Sequence, residues 1–401
     1  MKIAIFANSD WYLYNFRRGF ALSLVAQGFE VLLLTPDGPY VERLQALGLR
    51  CRVVPMKRRS LNPFRELAFV RQLSRLLREE RVTLIHGLTV KCAIYGSLAG
   101  RVAGTPARVN AVAGLGYVFT STSLAMKALR PLVRRLLKAS LSGRNVRLIV
   151  QNADDAALFR DGNFVDGNKI RLVRGSGVDC EAFHPPQAGR SGSPLTVLLA
   201  ARLLWQKGVR EYVEAAHEIA RTGRPVRFWL AGTPDPGNPN AVDEVTLERW
   251  TKEGAIEWLG HVEDMPNLLR SADVFVLPSY YGEGLPKSLI EAAASGCALI
   301  TTDMPGCRDV VNDGETGLLI PPRDSSALCA AIAAFHDDPE LRSKMGVAAR
   351  RKALAEFDEA LITEQTIAVY RELLPIPAQL TVAPGRSRVA TSKSTGEHHV
   401  A

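Results

Sequence analysis

No stretch of this chain approaches the ~18 uninterrupted apolar residues of a helix that crosses a bilayer, so the sequence predicts no membrane span. Cysteine is sparse. The six residues Cys51, Cys92, Cys180, Cys297, Cys307 and Cys329 are scattered and form no C-x-x-C pair. That spacing suits neither a zinc site nor a disulfide framework, and it predicts a reducing, cytoplasmic setting. The apolar run at the start, Met1 to Ala7, is too short for a signal-peptide core and reads as a buried first strand. Acidic residues are missing altogether between Glu80 and Asp154, an interval that carries eleven Lys or Arg.

What is present describes a globular protein. With 47% hydrophobic and 23% charged residues wholesale disorder is excluded, and 401 residues are too many for one ordinary core, so about two domains are expected. Net charge is +9, unevenly spread: residues 1–190 hold 29 Lys and Arg against 13 Asp and Glu, +16, and the remainder holds 21 against 28, −7. So lopsided a first half attracts a polyanion or an anionic surface. Within it, Lys127, Arg130, Arg134, Arg135 and Lys138 alternate with Leu129, Leu132, Val133, Leu136 and Leu137. This is an amphipathic basic helix suited to anionic lipid headgroups, or else a solvated helix packed on a sheet. No stacking aromatics interleave with the cations, so no nucleic-acid partner is expected.

Short strand-like runs alternate with helical runs through both halves. Lys2–Ala7, Val31–Thr35, Thr83–His86, Arg108–Ala111 and Val146–Val150 read as strands, with helices near Phe16–Gln27, Pro63–Glu80, Lys91–Val102 and Leu124–Ala139. The alternation restarts at Thr196–Ala200 and runs through Val226–Ala231, Val274–Leu277 and Ala298–Thr302. Strict alternation implies βαβ units and parallel sheets, hence an α/β chain of two tandem Rossmann-like, doubly wound domains with a cleft between them. The expected division is residues 1–185, a Pro/Gly/Ser-rich linker at 186–194, a second domain at 195–358, a helix at 359–374 that packs back on the first, and a disordered tail at 375–401.

The densest cluster runs from Pro278 to Glu291, Pro-Ser-Tyr-Tyr-Gly-Glu-Gly-Leu-Pro-Lys-Ser-Leu-Ile-Glu. A hydrophobic strand enters a Gly-bearing turn, and Pro286 stands where a helix starts. The free amides of the first turn form an anion site. Glu283 before the helix and Glu291 inside it bracket such a ligand, each placed to accept hydrogen bonds from hydroxyl groups. A nucleotide sugar has that layout of ribose, diphosphate and sugar. Upstream, Arg202 and Lys207 stand at another strand's end before Gly208, a forked donor and a point charge suited to the same diphosphate. No Asp-x-Asp pair occurs in the chain, which removes the usual device for holding a divalent ion on a nucleotide sugar.

The Glu-x7-Glu spacing inside Glu-Gly-Leu-Pro, with Arg-x4-Lys upstream, resembles glycosyltransferase family 4 over nearly the whole chain. Further matching stretches are 8–17, Val109–Tyr117, Gly175–Asp179 and Pro234–Pro239. The pattern is most similar to the bacterial branch that adds an N-acetylhexosamine to an undecaprenyl-diphosphate-linked sugar. The resemblance implies the GT-B fold and retention of anomeric configuration through a front-face, oxocarbenium-like state without a protein nucleophile. It implies that Arg202 and Lys207 bind the donor diphosphate, Glu291 the ribose and Glu283 the transferred sugar. The backbone of Gly284, Leu285, Pro286 and Lys287 would face sugar and phosphate, Gly232 and Thr233 would line the nucleotide cleft, and Asp264 and Met265 would lie near the base. The branch usually has Arg where Gly282 stands, an aromatic residue or His where Gly87 stands, and Thr where Ala113 stands.

His86 ends a strand on the cleft side and is read either as a satisfied structural histidine or as a donor-sugar contact. Asp10, Trp11, Arg17, Gly114 and Gly116 are acceptor-side candidates, although a helix capped by Asn15 accounts for the first loop as well. The expected partners are a UDP-sugar, a lipid-linked saccharide and the anionic inner face of the cell membrane, with no cofactor and no metal. Two other readings share these residues: a GT-B-fold epimerase on a UDP-N-acetylhexosamine, and a non-catalytic module that binds nucleotide sugar or nucleic acid.

Overall fold

The computed structural model describes residues 1–57, 62–112, 124–187, 194–235 and 237–375. The described chain forms two all-parallel sheets. The first contains β1 (Lys2–Phe6), β2 (Glu30–Thr35), β3 (Arg50–Val53), β4 (Leu84–Leu88), β5 (Ala107–Ala111), β6 (Val146–Val150) and β7 (Ile170–Leu172). The second contains β8 (Leu195–Ala200), β9 (Val226–Ala231), β10 (Glu257–Gly260), β11 (Val274–Leu277), β12 (Ala298–Thr302) and β13 (Leu318–Ile320). Their spatial orders, β3-β2-β1-β4-β5-β6-β7 and β10-β9-β8-β11-β12-β13, repeat one topology. Each reverses direction once, between β1 and β4 and between β8 and β11. The central strands β1, β4, β8 and β11 are almost wholly buried apolar runs, as expected where helices cover both faces.

The covering helices of the first sheet are α1 (Asp10–Ala26), α2 (Tyr40–Ala46), α3 (Pro63–Glu79), α4 (Val90–Ala103), α5 (Leu124–Ser140) and α6 (Ala153–Asp161). Those that follow are α7 (Val209–Arg221), α8 (Glu244–Lys252), α9 (Met265–Ser271), α10 (Lys287–Ala294), α11 (Cys307–Val310), α12 (Ser325–Asp337), α13 (Pro339–Glu356) and α14 (Glu359–Arg371). Local chemistry fixes many starts. Asn62 caps α3 by accepting from the amides of Phe64 and Arg65, with Pro63 at the first helical position.

β4 runs on to Leu88 rather than ending at His86, and the largest boundary difference is at α1. α1 begins at Asp10 rather than Phe16, after an extended Ser9, and Asn15 is an interior residue whose Nδ2 donates to the Trp11 carbonyl at 3.0 Å. Leu13 is fully buried on the same face as Phe20 and Leu24, so the apolar stripe starts nearly a turn before the expected first residue, Phe16. Asp10 also complements the positive end of the helix.

The chain crosses between the two halves near Val178 and again near Asp358, where the segments run side by side. The Val178 amide donates to the Phe357 carbonyl at 2.9 Å, and the Glu359 amide donates to the Val178 carbonyl at 3.0 Å. Gly177, at φ +76°, lies so close that a Cβ would stand 2.6 Å from the Glu359 Cα. Beyond this crossing α14 returns to the first sheet: Ile362, Ile367, Val369 and Tyr370 share one apolar core with Ile3, Ile5, Leu13, Phe20 and Leu84. Residues 188–193 of the expected linker and 376–401 of the expected tail lie outside the described residues. Among the described residues, no helix is long and apolar enough to cross a membrane.

Candidate active site

In open parallel sheets ligands bind beyond the carboxyl ends of the strands, at the point where strand order reverses. The residues singled out above lie at these points. Arg202 and Lys207 follow β8 and the 278–286 turn follows β11, the two strands at the second sheet's reversal. Asp10, Trp11 and Arg17 follow β1, and His86 lies on β4, at the reversal of the first.

The two loops of the second sheet are pressed together. Gly208 has φ +76°, and a Cβ there would stand 2.2 Å from the Pro278 carbonyl oxygen. The Tyr280 amide donates to the Gln206 carbonyl at 3.1 Å, and Ser279 Oγ lies 3.1 Å from the same oxygen. This contact unites the two charged groups: Lys207 Nζ donates to Glu283 Oε1, which also accepts from Ser279 Oγ at 3.1 Å. Both side chains are 15% exposed. Arg202 stands further out, half exposed, with Nη1 3.2 Å from Asp235 Oδ2.

Pro286 is the N-cap of α10 and not its first helical residue. Its extended ψ of 109° turns the chain into the helix one residue later than expected. Glu291 sits within the first turn and a half, 14% exposed, with Lys287 Nζ 3.7 Å away. Burial pushes its carboxyl up from the ordinary value, an effect that Lys287 partly offsets.

Contacts from the first half hold the turn before α10. Gln151 Oε1 accepts from the Leu285 amide at 2.9 Å, Asn152 Nδ2 donates to the Gly284 carbonyl at 2.9 Å, and Lys287 Nζ donates to the Asn15 carbonyl at 2.5 Å. The Leu285 amide, expected to face a ligand, is therefore occupied by a side chain from across the cleft. Nothing local in the sequence marked Gln151 or Asn152. Asn152 is also the N-cap of α6, accepting from the Asp155 amide at 2.7 Å.

The remaining candidates divide. Gly232, at φ +132°, would place a Cβ 1.9 Å from the Ala201 carbonyl oxygen, so the β9 turn passes against the β8 loop only as glycine. The Gly232 carbonyl accepts from Trp258 Nε1 at 2.9 Å, and that of Thr233 accepts from the Leu203 amide at 3.1 Å. Asp264 caps α9 by accepting from the Asn267 amide at 3.1 Å, so its carboxylate is engaged, and Met265 packs on the second core.

His86 is not at a cleft surface. It is 1% exposed, its Nδ1 lies 2.7 Å from Tyr370 Oη, and the Phe20 and Tyr370 rings meet it edge-on. Burial agrees with a structural histidine, but the ring is only half satisfied: among the described residues nothing pairs with its buried Nε2. Asp10 is buried and its Oδ2 accepts from the Tyr40 amide at 2.8 Å, tying α1 to α2. Trp11 is 39% exposed, and Arg17 is 4% exposed. Gly114 and Gly116 lie outside the described residues. On α5, Lys127, Arg135 and Lys138 are exposed, Arg130 is half-buried, and Arg134 turns back to the Gly162 carbonyl and over the Phe164 ring.

Residues 181–352 match the family profile described as glycosyl transferases group 1, and residues 2–152 match the one described as glycosyl transferase 4-like. The chain belongs to these glycosyltransferases. An N,N'-diacetylbacillosaminyl-diphospho-undecaprenol alpha-1,3-N-acetylgalactosaminyltransferase of Campylobacter jejuni is 29% identical to this glycosyltransferase, over 93% of this chain and 99% of that protein. A UDP-Gal:alpha-D-GlcNAc-diphosphoundecaprenol alpha-1,3-galactosyltransferase of Escherichia coli is 28% identical, over 77% of this chain and 80% of its own length. Among solved structures, sucrose-phosphate synthase of Thermosynechococcus elongatus superposes with a TM-score of 0.76 at 22% identity, over 93% of this chain and 99% of that one. The Anabaena protein HepE in complex with UDP and glucose superposes at 0.74 and 19% identity, over 93% of this chain and 100% of that one. The glycosyltransferase thus has the two-sheet GT-B architecture of these structures.

Proposed function

We propose that this glycosyltransferase belongs to family 4 and moves a hexose or N-acetylhexosamine from a UDP-sugar to an undecaprenyl-diphosphate-linked saccharide, with retention and without a metal ion. The observation that carries the donor side is the meeting of Lys207, Glu283 and the start of α10 at one strand reversal. The acceptor class comes from the names of the Campylobacter and Escherichia relatives, the first of which matches nearly end to end.

In this reading the donor diphosphate takes the place of Glu283 on Lys207, and Arg202 leaves Asp235 to bind the second phosphate. Glu283, released, accepts hydrogen bonds from the sugar hydroxyls, and Glu291 accepts those of the ribose. Leaving-group charge is met by fixed cations and by the positive end of α10. The bond from the anomeric carbon to the diphosphate oxygen breaks as the acceptor oxygen bonds to the same face of that carbon. The acceptor's proton passes to the departing phosphate oxygen, and UDP leaves. The protein's contribution is position and electrostatics. Trp11 lines the acceptor wall, with Asp10 holding its helix against α2, and the exposed cations Lys127, Arg135 and Lys138 of α5 meet anionic headgroups at the inner face of the membrane.

Substituting Lys207→Ala tests the donor site. With one charge donor to the leaving group removed, turnover is expected to fall by roughly 100- to 1000-fold while the folded circular-dichroism spectrum is retained. Unchanged turnover would remove Lys207 from the site. Addition of EDTA is expected to leave the rate as it was.

A further inference from the structure

The helix that follows β1 carries a buried cation with which no described residue pairs. Arg17 lies about two turns into α1, on the face that packs against the sheet with Leu13, Phe20 and Ala21, and is 4% exposed. Its Nε is fully buried without an acceptor, and among the described residues no hydrogen bond or ion pair reaches the guanidinium. Two groups that feel its charge, His86 and Tyr370, are neutral. Burial, and then Arg17 itself, hold the His86 imidazole well below its ordinary value, and burial keeps the Tyr370 phenol protonated. The carboxylate on the same helix, Asp10, is committed to the Tyr40 amide, and Glu359 at the start of α14 interacts with Lys287 and Arg18.

A guanidinium does not deprotonate to escape burial, and it offers five donors in a fixed fork. An unpaired one is strongly disfavoured inside a fold unless something binds it. Its place in the cleft suggests what binds. α1 leaves β1 at the first sheet's strand reversal, and the two residues before Arg17 already touch the opposite wall. Lys287 Nζ donates to the Asn15 carbonyl at 2.5 Å and lies 5.1 Å from the centre of the Phe16 ring.

We propose that Arg17 is an oxyanion-binding residue on the first-sheet wall, and that its guanidinium fork takes a substrate phosphate. The proposal rests on the transferase reading of the cleft. The phosphate comes either from the donor diphosphate or from the diphosphate of the lipid-linked acceptor, and one experiment separates the two. Arg17→Met keeps the length and removes the charge. Without ligand it is expected to melt at or above the wild-type temperature, because the buried charge is gone.

With ligand, two arms are read: UDP affinity by calorimetry, and KM for a short-chain polyprenyl-diphosphate-linked sugar. A loss of about 10-fold or more in UDP affinity assigns the donor phosphate, since charge-assisted fork contacts are the strong ones. Unchanged UDP affinity with a comparable rise in acceptor KM assigns the acceptor phosphate. Arg17→Lys, which keeps the charge without the fork, falls between. The proposal is overturned if both quantities stay within about twofold of wild type. It is also overturned if Arg17→Met melts well below wild type, since the charge would then be offset in the ligand-free fold. Lys207→Ala, run in parallel, separates the two ideas: if it leaves UDP affinity intact the transferase reading fails, whatever Arg17 does.

Discussion

At the scale of single residues, the candidate site is built from charges that pair with one another. Lys207 and Glu283 neutralise one another, Arg202 leans on Asp235, and Glu291 is buried beside Lys287. Glu291 gives a test that separates binding from folding. Its carboxyl is raised by burial, so the folded chain holds that proton more tightly than the unfolded chain does. The stability this proton confers is complete at low pH and is lost as pH rises from the ordinary carboxyl value through the raised one. Glu291→Gln has no proton to lose, so its melting temperature relative to wild type is expected to climb as pH rises through that window. Affinity for UDP is expected to fall by roughly 10-fold, the loss of a hydrogen bond to a charged acceptor. An offset that stays constant from acid to neutral pH would contradict the burial argument. Glu283, Arg202 and Lys207 were legible in the sequence because each lies in a short motif at a strand end. Gln151 and Asn152 were not, because they grip a turn more than 130 positions away and one of them doubles as a helix cap.

At the scale of elements, α14 joins the two halves. It starts beside Val178 at the crossing and ends with Tyr370 inside the first core, its hydroxyl 2.7 Å from His86 Nδ1. Tyr370→Phe leaves that ring nitrogen buried without a partner, which costs about 1–3 kcal/mol. Urea unfolding should register the loss while transferase activity of the folded fraction persists. A change in activity with no loss of stability would instead return His86 to the donor site. Long strands and helices were readable from their apolar runs and periodicity. Short ones such as α2, β3 and β10 were not, because four to seven partly exposed residues carry too little period to stand out. The early start of α1 was hidden by the polar Asp10 and the capping look of Asn15, and packing of Leu13 on the sheet decided it.

At the scale of the whole molecule, the same strand order occurs twice, and each sheet brings one strand reversal to the cleft. Strand and helix alternation made this architecture visible in advance, since parallel strands need helical crossovers. The return of α14 to the first core gives the halves a shared element, so the two sides of the site are fixed by packing as well as by the contacts of Gln151, Asn152 and Lys287. The proposed reaction needs both sides: a donor held by the second sheet and an acceptor presented by the first. The most direct test is to incubate the purified protein with labelled UDP-sugars, one at a time, and an undecaprenyl-diphosphate-linked saccharide, and to measure label in the lipid fraction. Label from one UDP-sugar in an α-linked lipid product, dependent on Lys207, is the predicted result. No lipid-linked label from any donor, with an epimer of the UDP-sugar accumulating instead, would contradict it.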